Sequence, residues 1–187
     1  MQVYSAAQCR FPLDVATVNM VNHPKNSHNA RNGDRIGNMK SEFRLLQQVV
    51  RFDREATIAL YRDTITVPGA DKCGCIYCKN FAGQRSKLYP EEFLRLLSEL
   101  GGDPRKEWEA FDYDFKPENS SNHLNGGWFL FCGELIEGVD KRPDQGQTAF
   151  AYWFTTSFPT GTLPRDARFC AVEFSIQVPW ILLEAPK

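Results

Sequence analysis

Three closely spaced cysteines are the residues of this sequence whose types and spacing best suit a defined chemistry. Cys73, Cys75 and Cys78 form a Cys-x-Cys-x-x-Cys run. The two-residue spacing of the last pair lets a tight turn aim both sulfurs at one point, as in zinc knuckles. Gly74 lies between the first two cysteines and permits a sharp bend of the backbone. The run therefore predicts a metal site, with zinc as the cofactor.

The fourth ligand of such a site has several candidates. Tetrahedral zinc takes four ligands, and the run supplies three of them. Cys132 and His123 are candidates for the remaining position, as is Cys170, and Asp71 is a poorer choice. A protein ligand there would make the site structural, whereas a water molecule would leave it open to catalysis.

Two other interpretations of the cysteines compete with metal binding. Cys75 and Cys78 could form a redox pair, but such a pair normally opens a long helix, and residues 80–83 predict a poor one. The cysteines could also pack without any chemical role. Core packing is the default expectation for Cys132 and Cys170, which lie in apolar, strand-like segments.

The histidines give weaker signals. His23 and His28 lie in a polar, asparagine-rich stretch, where we expect them to be solvated. His123 comes just before a predicted strand, in a turn, where it could serve as a general base or a ligand, although a single loop histidine usually does neither. The sequence contains no Gly-x-Ser-x-Gly, His-Glu-x-x-His or phosphate-loop motif, so it lacks the main hydrolase and nucleotide-binding signatures.

Charge is unevenly distributed around the cysteine run. Residues 71–88 carry a net charge of +3, and residues 91–118 carry −5. A basic zinc knuckle could bind nucleic acid, with Tyr77 and Phe81 stacking on bases. The whole chain, however, has a net charge of −1, which argues against nucleic acid as a partner.

Composition divides the chain of 187 residues near residue 40. Residues 1–40 carry a net charge of +3 and two aromatic residues, whereas residues 41–187 carry −4 and hold the other 22. We therefore predict a flexible polar tail over 1–40, with Met39 as a possible natural start, and one domain over 41–187. The absence of a signal-peptide pattern and of a long apolar run predicts a cytoplasmic protein that does not enter the membrane.

Hydrophobic patterning predicts an α+β fold with a mostly antiparallel sheet and one or two short helices at about residues 90–111. The clearest helix begins at Pro90 and stops at Gly101, and a second runs from Asp103 through Phe111. Strands are predicted over 43–52, 57–67, 127–136, 150–156 and 168–178.

The order of several short motifs resembles a family of uncharacterised bacterial proteins. In that family a Cys-x-Cys-x-x-Cys-[Arg/Lys]-Asn-Phe element precedes a Leu-Gly-x-Asp-Pro turn, a Gly-Gly-Trp strand and a Val-Pro-Trp segment. The similarity covers about residues 41–184 and implies that they form one domain, with the tail as an extra. It implies no activity, because none is established for the family. The motifs lie at residues 73–81, 100–104, 126–128 and 178–180.

These observations predict a non-enzymatic binding or interaction module in which the cysteine cluster holds structural zinc. One alternative is a thiol-redox or zinc-dependent enzyme that uses Cys73, Cys75 and Cys78. Another is an immunity-type protein that neutralises a protein partner through its acidic 91–118 surface. The sequence identifies no catalytic residue, no ligand and no particular partner.

Overall fold

The computed structural model describes residues 41–113, 122–141, 149–161, 163 and 167–184, and the predicted tail over 1–40 lies outside these ranges. The strands are β1 (Ser41–Leu45), β2 (Gln48–Phe52), β3 (Glu109–Asp112), β4 (Asn122–Glu137), β5 (Phe150–Thr155) and β6 (Phe169–Pro179). The helices are α1 (Arg54–Asp63), α2 (Gly69–Cys73), α3 (Ile76–Ala82), α4 (Arg85–Leu88) and α5 (Glu91–Leu100).

The described strands form one antiparallel sheet organised around β4. The strand order is β1-β2-β4-β6-β5, and β3 pairs with β4 outside this path. One edge of the long strand β4 pairs with β3 near its start and with β2 near its end, while β6 lines the other edge. The predicted α+β class with an antiparallel sheet is therefore confirmed.

A cluster of aromatic rings joins helix α5 to the sheet. Phe93 of α5 is fully buried, and its ring centroid lies 4.9 Å from that of Phe150 and 5.8 Å from that of Phe129. Both contacts are edge-to-face, the arrangement that aromatic quadrupoles favour. The high phenylalanine content of the sequence thus fills the space between α5 and strands β4 and β5.

The Gly-Gly-Trp motif is a packing requirement of β4. A Cβ atom on Gly126 would lie 2.7 Å from the rings of Phe111 and Tyr113. On Gly127 it would lie 2.5 Å from the carbonyl oxygen of Glu109. Side chains at these two positions would therefore displace β3 and the rings that lie over β4.

Residues 57–67 were predicted to form a strand, and that prediction is wrong. The segment begins in helix α1, because the Asp53 side chain caps the helix by accepting a hydrogen bond from the Ala56 N–H at 2.9 Å. Thr57, Leu60 and Tyr61 then recur at helical spacing and are buried. Burial along one helical face outweighs the β-propensity of the β-branched residues.

The predicted strand over 43–52 is a hairpin, in which β1 and β2 flank a turn at residues 46–47.

The helix that was predicted to begin at Pro90 is confirmed as α5, and Gly101 ends it in the left-handed conformation with φ 86°. A second helix was predicted from Asp103 through Phe111, and that prediction is wrong. Asp103 caps only a turn, and the backbone from Trp108 onward pairs with β4.

Candidate metal centre

The three cysteines of the run meet at the junction between α2 and α3. Cys73 ends α2, and Cys75 is the N-cap of α3, which contains Cys78. Gly74 makes the reversal between the helices with φ 67° and ψ 0°, a left-handed conformation that favours glycine. The three sulfur atoms all lie within 4.8 Å of one another. A tetrahedral zinc ion with its usual bonds to sulfur spaces the sulfurs by about 3.8 Å, so sub-ångström shifts suffice to fit it.

Hydrogen bonds already orient two of these sulfurs. The Cys78 N–H donates to the Cys75 Sγ at 3.4 Å, and an N–H donor stabilises negative charge on a sulfur. The Cys78 thiol donates to the carbonyl oxygen of Ala110 at 3.7 Å. A metal ion would take the place of that thiol proton. Cys78 is buried, whereas Cys73 and Cys75 are half-buried, so the cluster lies at the border of the core.

The residues that hold α2 in place were not found from the sequence. Glu107 is fully buried, and its backbone carbonyl accepts the Gly69 N–H at 2.8 Å. Its side chain accepts the Ala70 N–H at 3.0 Å and pairs with the Arg85 guanidinium at 2.8 Å. Burial raises the pKa of the Glu107 carboxyl, and Arg85 opposes that rise. This buried pair fixes the start of the helix that ends at Cys73.

Asp71 and His123, two candidates for a fourth ligand, lie in interactions of their own. The Asp71 carboxylate pairs with Arg85 at 3.2 Å. His123 lies in strand β4 rather than in the predicted turn, is buried, and has its Nδ1 3.6 Å from an Asp112 oxygen. Its ring contacts that of Tyr77, which neighbours the cluster, at a centroid distance of 5.6 Å. Within the described residues, the group of ligand atoms closer than 4.8 Å comprises the three cysteines and includes neither of these side chains.

Cys132 and Cys170 lie apart from the cluster, in β4 and β6. Ala110, which contacts Cys78, pairs with Gly127 of β4. Cys132 comes five positions further along this strand, so its Cα lies about 17 Å from that of Gly127. Burial raises the pKa of the Cys132 thiol to about 11 and that of the Cys170 thiol to about 12. The Cys170 thiol donates to the carbonyl oxygen of Thr155. Both therefore remain protonated near neutral pH, in keeping with the expectation of core packing.

The structure also bears on nucleic-acid binding and on the immunity-type role, the two alternatives that were based on charge. Phe81 is fully buried and cannot stack on a base, and Tyr77 packs edge-on against Trp180. Of the acidic stretch, Glu107 is buried and residues 114–118 lie outside the described ranges. The acidic residues therefore do not all share one solvated face, and an immunity-type role stays a prediction.

Helix α3 corrects one part of the objection to redox chemistry that was drawn from the sequence. The other part stands, because α3 has only seven residues and follows a helix, whereas a redox pair normally opens a long helix. Residues 80–83 were predicted to form a poor helix, yet α3 runs from Ile76 to Ala82. Asn80 and Phe81 stabilise it by facing the core, where Asn80 binds the backbone at the end of β6 and just beyond it. The only sequence signal for this contact was the joint occurrence of the Lys-Asn-Phe and Val-Pro-Trp motifs.

Among the helices within the described ranges, none is long and apolar enough to span a bilayer. Comparison with protein-family models, with curated proteins and with solved structures finds no match to this chain.

Proposed function

We propose that this protein is a metal-binding interaction module in which Cys73, Cys75 and Cys78 hold one zinc ion. The observation that carries the proposal is the convergence of the three sulfurs within 4.8 Å on a turn that Gly74 shapes. Thiolate sulfur binds zinc far better than it binds magnesium or calcium, so zinc is the ion that suits this set of ligands.

The metal would connect two helices that are too short to be stable alone. Helix α2 has five residues and α3 has seven, and isolated helices of that length are marginal in water. Bonds from one ion to Cys73 of α2, to the N-cap Cys75 and to Cys78 of α3 would fix the angle between the two helices. Because zinc-bound cysteines must be reduced, we place the protein in a reducing compartment such as the cytoplasm.

The proposal is tested by measuring bound zinc in the purified full-length chain by elemental analysis. We expect one zinc ion per chain, and a thiolate-to-metal charge-transfer band when cobalt replaces zinc. The double substitution Cys75→Ser and Cys78→Ser should remove both signals because it removes two of the three ligands. A protein that binds no zinc, or that binds it equally well after the double substitution, would contradict the proposal.

Cys132→Ser is the matched control for this test. Cys132 is half-buried like Cys73 and Cys75, but it lies on β4, away from the cluster. The control variant should therefore retain the full zinc content and the cobalt band. Loss of zinc from Cys132→Ser as well would mean that the double substitution acts by unfolding the protein rather than by removing ligands.

A thiol-redox activity of Cys75 and Cys78 is the second candidate function, and one observation favours it. Cys75 caps α3 and receives the N–H of Cys78, so the pair begins a helix as redox-active pairs do. Oxidation would join the two sulfurs in a disulfide and pass two electrons and two protons to a disulfide substrate. Equilibration of the purified protein with thiol–disulfide buffers, without removal of any bound metal, distinguishes the functions. A redox protein forms this disulfide reversibly at a defined potential, whereas a zinc module with bound metal resists it.

A further inference from the structure

Helix α3 connects the cysteine cluster to residues 180–184, which follow the last strand and are named here the C-terminal segment. The N-terminal end of α3 carries Cys75 and Cys78. The C-terminal half carries Asn80, whose side-chain amide donates to the Pro179 carbonyl oxygen at 3.0 Å. The same side chain accepts the Ile181 N–H at 2.8 Å. One buried asparagine thus holds the backbone on both sides of Trp180.

Further contacts from α3 and its neighbours hold the same backbone. The Gln84 side chain, just beyond α3, donates to the Pro179 carbonyl oxygen at 2.9 Å. The Trp180 ring lies 5.8 Å from the ring of Tyr77 and 5.0 Å from that of His123. Since Tyr77 lies between Cys75 and Cys78 in sequence, the segment packs directly against the part of α3 that carries the ligands.

The rest of the C-terminal segment is largely exposed. Ile181 is 53% exposed and Leu183 is fully exposed. The Trp180 indole N–H donates to the Glu184 carbonyl oxygen within the segment itself, at 2.7 Å. The apolar side chains beyond Trp180 therefore contribute little burial, and docking depends mainly on the hydrogen bonds from Asn80 and Gln84 and on the ring contacts.

We infer that metal occupancy of the cysteine cluster controls the docking of the C-terminal segment. This inference rests on the proposed function. A seven-residue helix is marginal alone, so fixing its first turn through Cys75 and Cys78 stabilises the conformation in which Asn80 meets Pro179 and Ile181. By linkage, whatever stabilises α3 at one end favours binding at the other, and the effect is reciprocal. The metal-bound helix holds the segment, and the metal-free helix releases it.

The first test uses the unmodified full-length chain. Zinc is added in steps while hydrogen–deuterium exchange is followed by mass spectrometry and the bound zinc is counted. We expect exchange of the Ile181 amide to slow at least about tenfold as one zinc binds, a coupling in the usual range. Peptides from α5, which packs on the sheet rather than on the cluster, should change little.

The reciprocal test asks whether the segment affects zinc affinity. Asn80→Ala removes the hydrogen bond from Ile181 of the segment and the bond to Pro179 just before it, but no cysteine. We expect it to weaken zinc binding about tenfold in competition with a chelator. Lys87→Ala, at an exposed position on α4, is the control and should bind zinc like the parent.

The outcomes separate the two proposals. Stoichiometric zinc binding without slower exchange at Ile181 overturns this inference and leaves the zinc site standing. Wild-type zinc affinity in a folded Asn80→Ala variant overturns it as well. A chain that binds no zinc overturns both proposals. If Asn80→Ala fails to fold, the exchange measurement on the unmodified chain decides the question alone.

Discussion

Two groups of cysteines in this fold show how surroundings decide what a thiol can do. Cys73, Cys75 and Cys78 converge at a helix junction on the border of the core, where a backbone N–H already points at one sulfur. Cys132 and Cys170 lie on adjacent strands among buried apolar side chains. The sulfurs of the first group could hold a metal ion together, whereas the second group serves as small apolar packing with a weak donor.

Burial also affects the ionisation of the two core thiols. Burial raises the pKa of Cys132 to about 11 and that of Cys170 to about 12 because a thiolate in an apolar interior lacks solvation. In the cluster, Cys73 and Cys75 are half-buried, as Cys132 is, and Cys78 is buried. Spacing in the sequence distinguished the two groups, and the convergence of three sulfurs at one helix junction gives the physical reason.

Alkylation rates should separate the two groups by the largest factor. The thiolate is the reactive form, and at pH 8 the pKa values predict a thiolate fraction of about 0.001 for Cys132 and about 0.0001 for Cys170. In metal-free protein treated with iodoacetamide, we expect Cys73 to react at least about a hundredfold faster than Cys170. Peptide mapping by mass spectrometry measures each rate.

Zinc provides the control for this experiment. Metal binding should protect Cys73 and its two partners and leave the slow rates of Cys132 and Cys170 unchanged. Equal labelling of Cys170 and Cys73 in folded protein would show that burial does not separate the two groups, and the comparison would then fail.

Removing the buried charge of Glu107, which anchors α2, should produce the next largest effect, a loss of folding stability. Glu107→Gln keeps the shape of the side chain and its bond from Ala70. It leaves the largely buried Arg85 with only the more exposed Asp71 as an ionic partner. Breaking one side of a buried pair typically costs several kcal/mol, so we expect the free energy of unfolding to fall by about 3 kcal/mol. Urea unfolding followed by circular dichroism measures it.

A partly exposed pair offers the matched control. Glu134, on β4, pairs with Arg51 and Arg168, and its side chain is 25% exposed. We expect Glu134→Gln to cost less than about 1 kcal/mol, as pairs near solvent do. Similar losses in the two glutamine variants would mean that Glu107 is no special anchor of the cysteine segment.

Local signals in the sequence were sufficient for the fold class, for helix α5 and for the cysteine cluster. Residues 91–100 carry an apolar stripe that ends in glycines, and the three cysteines lie within six positions, so both features are contained in short stretches. The antiparallel sheet followed from strand-like segments separated by turns and helices. For helix α5 and the cysteine cluster, the interactions that decide the structure lie within about ten residues.

Features that depend on distant partners could not be predicted in this way. Residues 109–112 became a strand because β4, more than ten residues further along the chain, pairs with them. Asn80 stabilises α3 through bonds to Pro179 and Ile181, about a hundred positions away. Glu107 looked like one acid in an acidic run, and only the fold shows that it is buried against Arg85. Burial and long-range pairing override local propensity at each of these positions.

Alkaline pH should lower the free energy of unfolding through the buried thiol of Cys170, an effect smaller than the preceding ones. Its pKa is raised from 9.0 to about 12 on folding, so the native state holds the proton that the unfolded state releases above pH 9. Stability due to this group is therefore complete below pH 9 and falls as pH rises toward 12. Between pH 8 and pH 10, the wild-type chain should lose about 1.4 kcal/mol more than Cys170→Ala.

The measurement compares urea unfolding of the two proteins at both pH values without added metal. Both chains carry the same tyrosines, lysines and cysteine cluster, so the titration of those groups cancels in the difference. A Cys170→Ala chain whose stability falls just as steeply would show that the β6 thiol ionises as easily in the fold as in the unfolded chain. Burial would then not hinder the ionisation of Cys170, and only the geometric distinction between the two groups of cysteines would remain.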